Sequence, residues 1–331
     1  MKKIINNPEN VVKEMCEGLE AAYPDIVSLN EKYNIVVRKN FDDGKVSLIS
    51  GGGSGHEPSH AGFVGKGMLD AAVCGDIFAS PSTIQVYNAI LAVQSKKGTL
   101  LIIKNYTGDR MNFDAAAEMA LEDDEIEVER VYVNDDVAVR DSTFTAGRRG
   151  VAGTVFVHKI TGALAEEGAS LKEVKAVAEK VIGNVRSLGF ALTSCIVPAM
   201  GVPTFDINEG EMEFGVGIHG EPGVAREKIT AADEIAQKIM ARIIPALPYR
   251  SNDEVSLMIN GLGGTPLQEL FILNRAVRKI LDENSIHVYK TMVGNYMTSI
   301  DMAGASVTLL KLDSELKRLL IAPANTPSLK V

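Results

Sequence analysis

The 331-residue sequence has no tryptophan, only three cysteines and no excess of positive charge. Cys16, Cys74 and Cys195 lie far apart without a C-x-x-C pair, which argues against a zinc ribbon or a disulfide framework and indicates a reducing compartment. The net charge of -9 argues against binding to a nucleic-acid backbone as a main task. No apolar run approaches the roughly 18 residues that span a membrane, and the N-terminus lacks the apolar segment of a signal peptide. We therefore expect a cytoplasmic protein without nucleic-acid or membrane partners.

The sequence also lacks the common nucleotide-binding and hydrolase motifs. It contains no G-x-x-x-x-G-K-[ST] phosphate loop, no H-E-x-x-H and no G-x-S-x-G, and no G-x-G-x-x-G follows Leu48–Ser50. The acidic pair Asp135-Asp136 has no further ligand pattern around it, so we interpret it as a loop. We expect neither a metal site nor a nucleotide cofactor on this chain.

Short apolar runs alternate with amphipathic segments along the chain. Runs such as Val46–Ser50 and Leu100–Ile103 predict buried strands, and the segments between them have helical spacing. This alternation predicts an α/β fold. We expect two α/β domains with mixed sheets flanked by helices, 1–185 and 186–331, and the last residues, 300–331, are free to pack back on the first domain.

The stretch Val46–His60, VSLISGGGSGHEPSH, joins a predicted strand to a loop rich in glycine and histidine. We expect Gly51–Gly53 to break the strand and to let a ligand approach the main-chain N–H groups. Ser54 and His56 follow directly, and ligands of open α/β sheets bind at such strand ends. A flexible surface loop is the alternative; we favour a site for a small, oxygen-rich ligand.

A second strand end has the same layout. The run Leu100–Ile103 is followed by Lys104 and, five residues later, by Asp109. Lys104 can neutralise an anion or donate to a hydroxyl. Asp109 can be a helix N-cap, a catalytic carboxylate or both. Two strand ends of this kind can face one crevice.

A third stretch places a histidine among glycines. Alternating residues over Glu211–Ile218 predict a half-buried strand that ends at His219. Taken alone, a structural histidine is the commoner outcome at such a position. We interpret His158 as structural and His287, within a predicted strand, as a packing residue. The pair Arg148-Arg149 either holds phosphate or a partner's acidic groups, or forms helix-flanking salt bridges.

Long motifs in a fixed order connect these stretches to a known family. The motifs are GGGSGHEPSHAGFVGKGML (51–69), LLIIKNYTGD (100–109), AGRRGVAGTV (146–155), EFGVGIHGEPG (213–223), LGGTPLQEL (262–270) and GNYMTSIDMAG (294–304). Over nearly the whole chain they resemble the dihydroxyacetone-binding K subunits of the dihydroxyacetone kinase family.

The resemblance implies a kinase subunit that holds dihydroxyacetone covalently. The Nε2 atom of His219 would add to the ketone and form a hemiaminal, while His56 and Asp109 would do acid–base work on the substrate. The substrate-binding positions that the resemblance implies are Gly53, Ser54, Gly55, His56, Lys104 and Asp109.

The resemblance also implies partners. Because the chain ends at Val331, soon after the last motif, it is similar to the separate-subunit form of the family. That form takes phosphate from a nucleotide (ADP/ATP) held with magnesium on an L subunit and recharged by a phosphocarrier M subunit, and it is a homodimer. Two alternatives stay open: a non-catalytic ketone sensor that acts with a regulator, and a kinase subunit for a ketotetrose such as erythrulose.

Overall fold

The computed structural model describes residues 2–139, 146–247 and 249–331. Two six-stranded sheets lie within these ranges. The strands of the first sheet are β1 (Val27–Asn30), β2 (Ile35–Arg38), β3 (Ser47–Ser54), β4 (Ala71–Ile77), β5 (Thr99–Lys104) and β6 (Val128–Val133). The strands of the second sheet are β7 (Val185–Ala191), β8 (Glu211–Phe214), β9 (Ala225–Lys228), β10 (Glu254–Gly261), β11 (His287–Gly294) and β12 (Gly304–Leu312).

Both sheets are mixed. The first has the order β1-β2-β4-β3-β5-β6, with β3 to β6 parallel and β1 and β2 antiparallel at one edge. The second has the order β11-β10-β12-β7-β8-β9, in which β10 and β11 are parallel and the other described pairs antiparallel. The predicted α/β fold with mixed sheets is confirmed. The division into domains at residue 185 stays a prediction.

Helices cover the faces of both sheets. They are α1 (Val11–Ala22), α2 (Thr83–Ala92), α3 (Thr107–Asp124), α4 (Thr154–Glu166), α5 (Leu171–Asn184), α6 (Ala232–Ala246), α7 (Leu267–Glu283) and α8 (Ser314–Ile321). Helices α2 and α3 pack on one face of the first sheet, and α6 and α7 pack on the second sheet. A shared core joins α1, α4, α5 and α8 to the other face of the first sheet and to β10–β12. None of the described helices is long and apolar enough to cross a bilayer.

Helix α4 lies at the centre of this shared core. Every residue from Thr154 to Ala165 is buried, as expected for a helix that has apolar residues on all sides. The C-terminal residues pack next to it: the Lys159 ammonium donates to the carbonyl of Leu319 at 2.8 Å. Further along, the amide of Asn325 donates to the carbonyl of Lys66 at 2.9 Å. The end of the chain therefore contacts elements of the first sheet's half.

Three expectations about single segments are wrong. Gly51–Gly53 do not break the strand, because β3 continues through Ser54 and the glycines pair with β4. The strand predicted to reach His219 ends at Phe214, so this histidine lies in the following loop. His287 is exposed at the start of β11 rather than packed inside.

The close packing of α4 predicts opposite effects for two glycine-to-alanine changes. Alanine is favoured over glycine in a helix by about 1 kcal/mol. At Gly162, however, an added Cβ would lie 2.4 Å from the carbonyl oxygen of Gly67 and 2.5 Å from Cα of Met68. We expect Gly162→Ala to lower the free energy of unfolding by roughly 1–3 kcal/mol.

Gly18, exposed on α1, has nothing within 4 Å of the added Cβ and serves as the control. Gly18→Ala should raise the free energy of unfolding by up to about 1 kcal/mol. Urea denaturation of both variants measures the two effects. An equal stabilisation by both changes would contradict the close approach of α4 to residues 67–68.

Candidate active site

The candidate site lies where β3 and β5 end side by side. The two strands are parallel neighbours in the first sheet, so their carboxyl ends meet at one edge. Gly52, with φ +144°, lies on β3 against the side chain of Lys104 at the end of β5. A Cβ at Gly52 would be 2.2 Å from the Lys104 Nζ atom. This glycine therefore makes room for a lysine ammonium at the strand end.

Lys104 is fully buried, and its ammonium faces three acceptors. Nζ lies 3.0 Å from the carbonyl oxygen of Gly51, 3.1 Å from Nε2 of His60 and 3.4 Å from Oδ2 of Asp109. A lysine ammonium has three N–H donors. Hydrogen bonds to Gly51 and His60 use two of them, and the ion pair holds the Asp109 carboxylate beside the ammonium.

Asp109 projects from the first turn of α3. The alternative that it is the helix N-cap is wrong, because Tyr106 occupies that position. The carboxylate is almost entirely buried but borders a cavity of about 430 Å³. The cavity is lined by Phe78, Ser80, Tyr106, Thr107, Gly108, Asp109 and His219. The structure thus brings the predicted residues Asp109 and His219 to one cavity.

His219 presents a half-buried imidazole to this cavity from the loop after β8. Its ring centroid lies 4.3 Å from that of Tyr106, 4.7 Å from that of His56 and 5.6 Å from that of Phe78, each in an edge-on arrangement. Burial, together with the charges of Lys104 and other neighbours, lowers the pKa of His219 well below its ordinary value. The imidazole is therefore neutral at physiological pH, and a ring nitrogen keeps its lone pair.

A buried ion-pair network holds the loop of His219. The backbone amide of His219 donates to Glu221 at 2.8 Å, and Glu221 lies 3.2 Å from the guanidinium of Arg149. Arg149 also binds Asp136, at 2.6 Å, and donates to the carbonyl of Gly215 at 2.8 Å. The arginine pair was predicted either to hold phosphate or a partner's acidic groups or to form salt bridges. Arg149 forms salt bridges. Asp136 belongs to the predicted acidic loop and serves this network.

His56 packs edge-on against His219 and has one unprotonated ring nitrogen. Its Nδ1 lies 2.9 Å from the carbonyl oxygen of Thr298. Because a carbonyl can only accept, Nδ1 carries the proton and Nε2 keeps a lone pair. Nε2 is buried and has no hydrogen-bond partner among the described residues. Burial, reinforced by the charge of Lys104, lowers the pKa of His56 to about 3. His56 is thus an acceptor beside the cavity.

The other predicted substrate positions lie on the backbone around the end of β3. Gly53 pairs with Gly75 of β4, and the Ser54 hydroxyl donates to the Gly75 carbonyl at 2.7 Å. The carbonyl of Gly55 accepts from the amide of Ile300 at 2.8 Å. Their part in substrate binding stays a prediction.

Several residues of the site were not singled out from the sequence. Tyr106 and Glu221 lie inside the motifs NYTGD and HGEPG, so their positions beside Asp109 and His219 were a usable signal. Phe78 lies outside the motifs, and Thr298 lies within GNYMTSIDMAG, a motif that contains none of the predicted site residues. Thr298 is 242 residues from the His56 ring that it orients, a contact that only the fold creates.

The comparisons with known proteins define the class. A family model described as the Dak1 domain matches residues 17–328. The chain therefore belongs to the Dak1 domain family, as the motifs indicated.

Its relatives include both kinase subunits and a regulator. The chain is 52% identical over 315 residues to a Listeria innocua protein named PTS-dependent dihydroxyacetone kinase 1, dihydroxyacetone-binding subunit DhaK, with 95% of each chain covered. It is 40% identical over 354 residues to the PEP-dependent counterpart of Escherichia coli, with 99% of each covered. Its fold matches a solved dihydroxyacetone kinase operon co-activator, Dha-DhaQ, with a TM-score of 0.90 and 37% identity over 96% of this chain and 97% of that one. It also matches the dihydroxyacetone kinase of C. freundii, with a TM-score of 0.88 and 36% identity, over 99% of this chain and 60% of that longer one.

The neutral His56 predicts a measurable pH dependence of stability. In the unfolded chain its pKa is about 6.5, whereas in the folded protein it is about 3. At a pH between these two values, His56 is protonated in the unfolded chain and neutral in the folded protein. Acid therefore lowers the free energy of unfolding, and at pH 5 the contribution of His56 to this loss is about 2 kcal/mol. The His56→Gln variant should therefore lose about 2 kcal/mol less than the wild type between pH 7 and pH 5.

Chemical denaturation at the two pH values tests this expectation. His287→Gln, at an exposed position, should keep the pH dependence of the wild type. If His56→Gln and the wild type lose stability in parallel, then His56 is not held neutral in the folded protein.

Proposed function

We propose that this chain is the dihydroxyacetone-binding subunit of a phosphoenolpyruvate-dependent dihydroxyacetone kinase. The observation that carries the proposal is the neutral imidazole of His219 at a cavity that Asp109 also lines, beside the free Nε2 of His56. The relatives at 52% and 40% identity, both named as dihydroxyacetone-binding subunits of such kinases, support it.

In the proposed reaction His219 captures the ketone. The lone pair of its Nε2 adds to the carbonyl carbon, a C–N bond forms, and the π pair of the carbonyl moves to the oxygen. The proton lost from the other ring nitrogen ends on that oxygen, so a hemiaminal forms and no water leaves. Burial and nearby positive charge, which lower the pKa of His219, keep this nucleophile neutral. Capture selects ketones and aldehydes over glycerol and fixes the hydroxymethyl groups for the next step.

Phosphorylation then requires that a hydroxyl of the captured triose lose its proton. His56 offers the lone pair of Nε2, and Asp109 offers a carboxylate held by Lys104. Asp109 lines the cavity of His219, and His56 lies directly behind it with its ring 4.7 Å from that of His219, so either can accept the proton. The geometry supports this pair as the acid–base groups of the proposal and leaves the order of their action open.

The proposal places the phosphoryl donor on a partner. Among the described residues no group of three His, Cys, Asp or Glu side chains could hold a metal ion, so we derive no step through a metal on this chain. We propose that a nucleotide-binding L subunit carries the nucleotide with magnesium, and that a phosphocarrier M subunit recharges it in the cytoplasm. The names of the relatives, PTS-dependent and PEP-dependent, support these partners. The proposal of a homodimer rests on the family resemblance.

A ketone sensor is the second candidate, because the co-activator is a structural relative. The chain is more similar to the kinase subunit of Listeria innocua, at 52% identity, than to the co-activator, at 37%. The presence of both His56 and Asp109 also favours the kinase, since a sensor can bind through His219 without an acid–base pair. The alternative that the substrate is a ketotetrose is tested by the mass-spectrometric experiment described next.

Native mass spectrometry tests the capture of the ketone. We expect an adduct with dihydroxyacetone that keeps the full mass of the triose, because addition releases no water. Glycerol, which lacks a carbonyl, should form none, and the His219→Ala variant should form none with any ligand. A parallel sample with erythrulose shows whether the ketotetrose forms the same kind of adduct as the triose. Absence of an adduct from the wild type with either ketone would refute the proposed capture.

The role of Asp109 is tested separately from binding. Asp109→Asn should still form the adduct on His219 but lose turnover with a competent L subunit, by at least about 100-fold in kcat, since a positioned proton acceptor contributes that much. Glu122→Gln, at an exposed position on the same helix, is the matched control and should keep full turnover. Near-normal kcat in Asp109→Asn would remove this carboxylate from the mechanism.

A further inference from the structure

Behind Lys104 lies a pair of buried histidines that the proposed chemistry does not use. Nδ1 of His60 lies 2.9 Å from Nε2 of His158, and their rings meet edge-on. His60 is 5% exposed and His158 is fully buried. They come from distant parts of the chain, His60 from the segment after the glycine-rich strand and His158 from the centre of α4.

The contacts fix where the protons of this pair are. The Lys104 ammonium can only donate, so Nε2 of His60 accepts, and the ring proton of His60 is on Nδ1. That proton is donated to Nε2 of His158, which places the ring proton of His158 on its own Nδ1. The hydroxyl of Ser50 donates to the carbonyl of Ile102 at 2.6 Å, so toward Nδ1 of His60, 3.4 Å away, its oxygen is only a second and more distant acceptor.

We propose that His60 and His158 are positioning residues that hold the ammonium of Lys104 against the carboxylate of Asp109. The chain of contacts runs from His158 to His60, from His60 to Lys104, and from Lys104 to Asp109 over 3.4 Å. Neither histidine lines the cavity beside Asp109 and His219. Their effect on turnover rests on the function proposed above, whereas the arrangement of their protons does not.

A neutral acceptor is suited to this position. A carboxylate in place of His60 would compete with Asp109 for the charge of Lys104. A neutral imidazole instead fixes the direction of one N–H bond and leaves the positive charge to Asp109. Burial and the charge of Lys104 keep both rings neutral, and they lower the pKa of His158 to about 3.

Two substitutions of similar length separate this role from simple packing. In His158→Gln a side-chain oxygen can still accept the proton of His60, whereas His158→Met fills a similar volume without a comparable acceptor. We expect His158→Met to lower kcat by about 10- to 100-fold, as a displaced catalytic group does. His158→Gln should keep kcat within about threefold of the wild type, and both variants should form the dihydroxyacetone adduct on His219.

The tautomers provide a readout that does not depend on turnover. Two-bond ¹H–¹⁵N spectra of the wild-type protein should show His60 and His158 both protonated on Nδ1 only. A proton on Nε2 of His60 would overturn the proposal, as would equal kcat values in His158→Met and His158→Gln at matched thermal stability. If the wild type forms no adduct, the proposed function fails, while the tautomer result still decides the arrangement of the pair.

Discussion

One buried positive charge, the ammonium of Lys104, is the constraint on which the site depends. It occupies the space left by the missing side chain of Gly52 and is held by neutral acceptors on two sides and by one carboxylate on the third. Burial is the larger cause of the low pKa values of the four imidazoles His56, His60, His158 and His219, and this charge lowers all four further. The nitrogen lone pairs that the proposed chemistry needs are thereby kept free of protons over the physiological range.

A second buried cation acts in a different way. Arg149 lies between Asp136 and Glu221, so its charge is compensated by two carboxylates in direct contact with it. Burial raises the pKa of Asp136 to about 6, even though the guanidinium opposes that shift. An ion pair of this kind is costly to break, because the remaining partner would be a buried, unpaired charge. Arg149 therefore fixes the loop of His219 in place, whereas Lys104 acts on the imidazoles mainly through its field.

What the sequence could predict was local. The apolar runs of β3 and β5 and the α/β class followed from periodicity, and the long motifs singled out His56, Asp109 and His219 as candidate site residues. The prediction that Gly51–Gly53 would break the strand was wrong, because the pairing of β3 with β4 outweighed the tendency of glycine to end a strand. His158 has the pattern of a packed helix residue, and its partner is 98 residues away. Contacts between distant segments leave no trace in local spacing, so the orienting residues could not be found.

Helix α4 and the residues just before it connect the two halves of the site. Arg149, from the segment that precedes α4, anchors the loop of His219. His158, on α4 itself, is connected through His60 to the lysine that pairs with Asp109. In the proposed reaction a ketone bound to His219 presents its hydroxyl to groups placed by the first sheet, and the packing of α4 helps to set the distance between His219 and those groups. In the proposed mechanism the rate of transfer therefore depends on a helix that does not line the cavity, and the close packing around α4, where a Cβ at position 162 would lie 2.4 Å from the carbonyl oxygen of Gly67, has a catalytic role as well as a structural one.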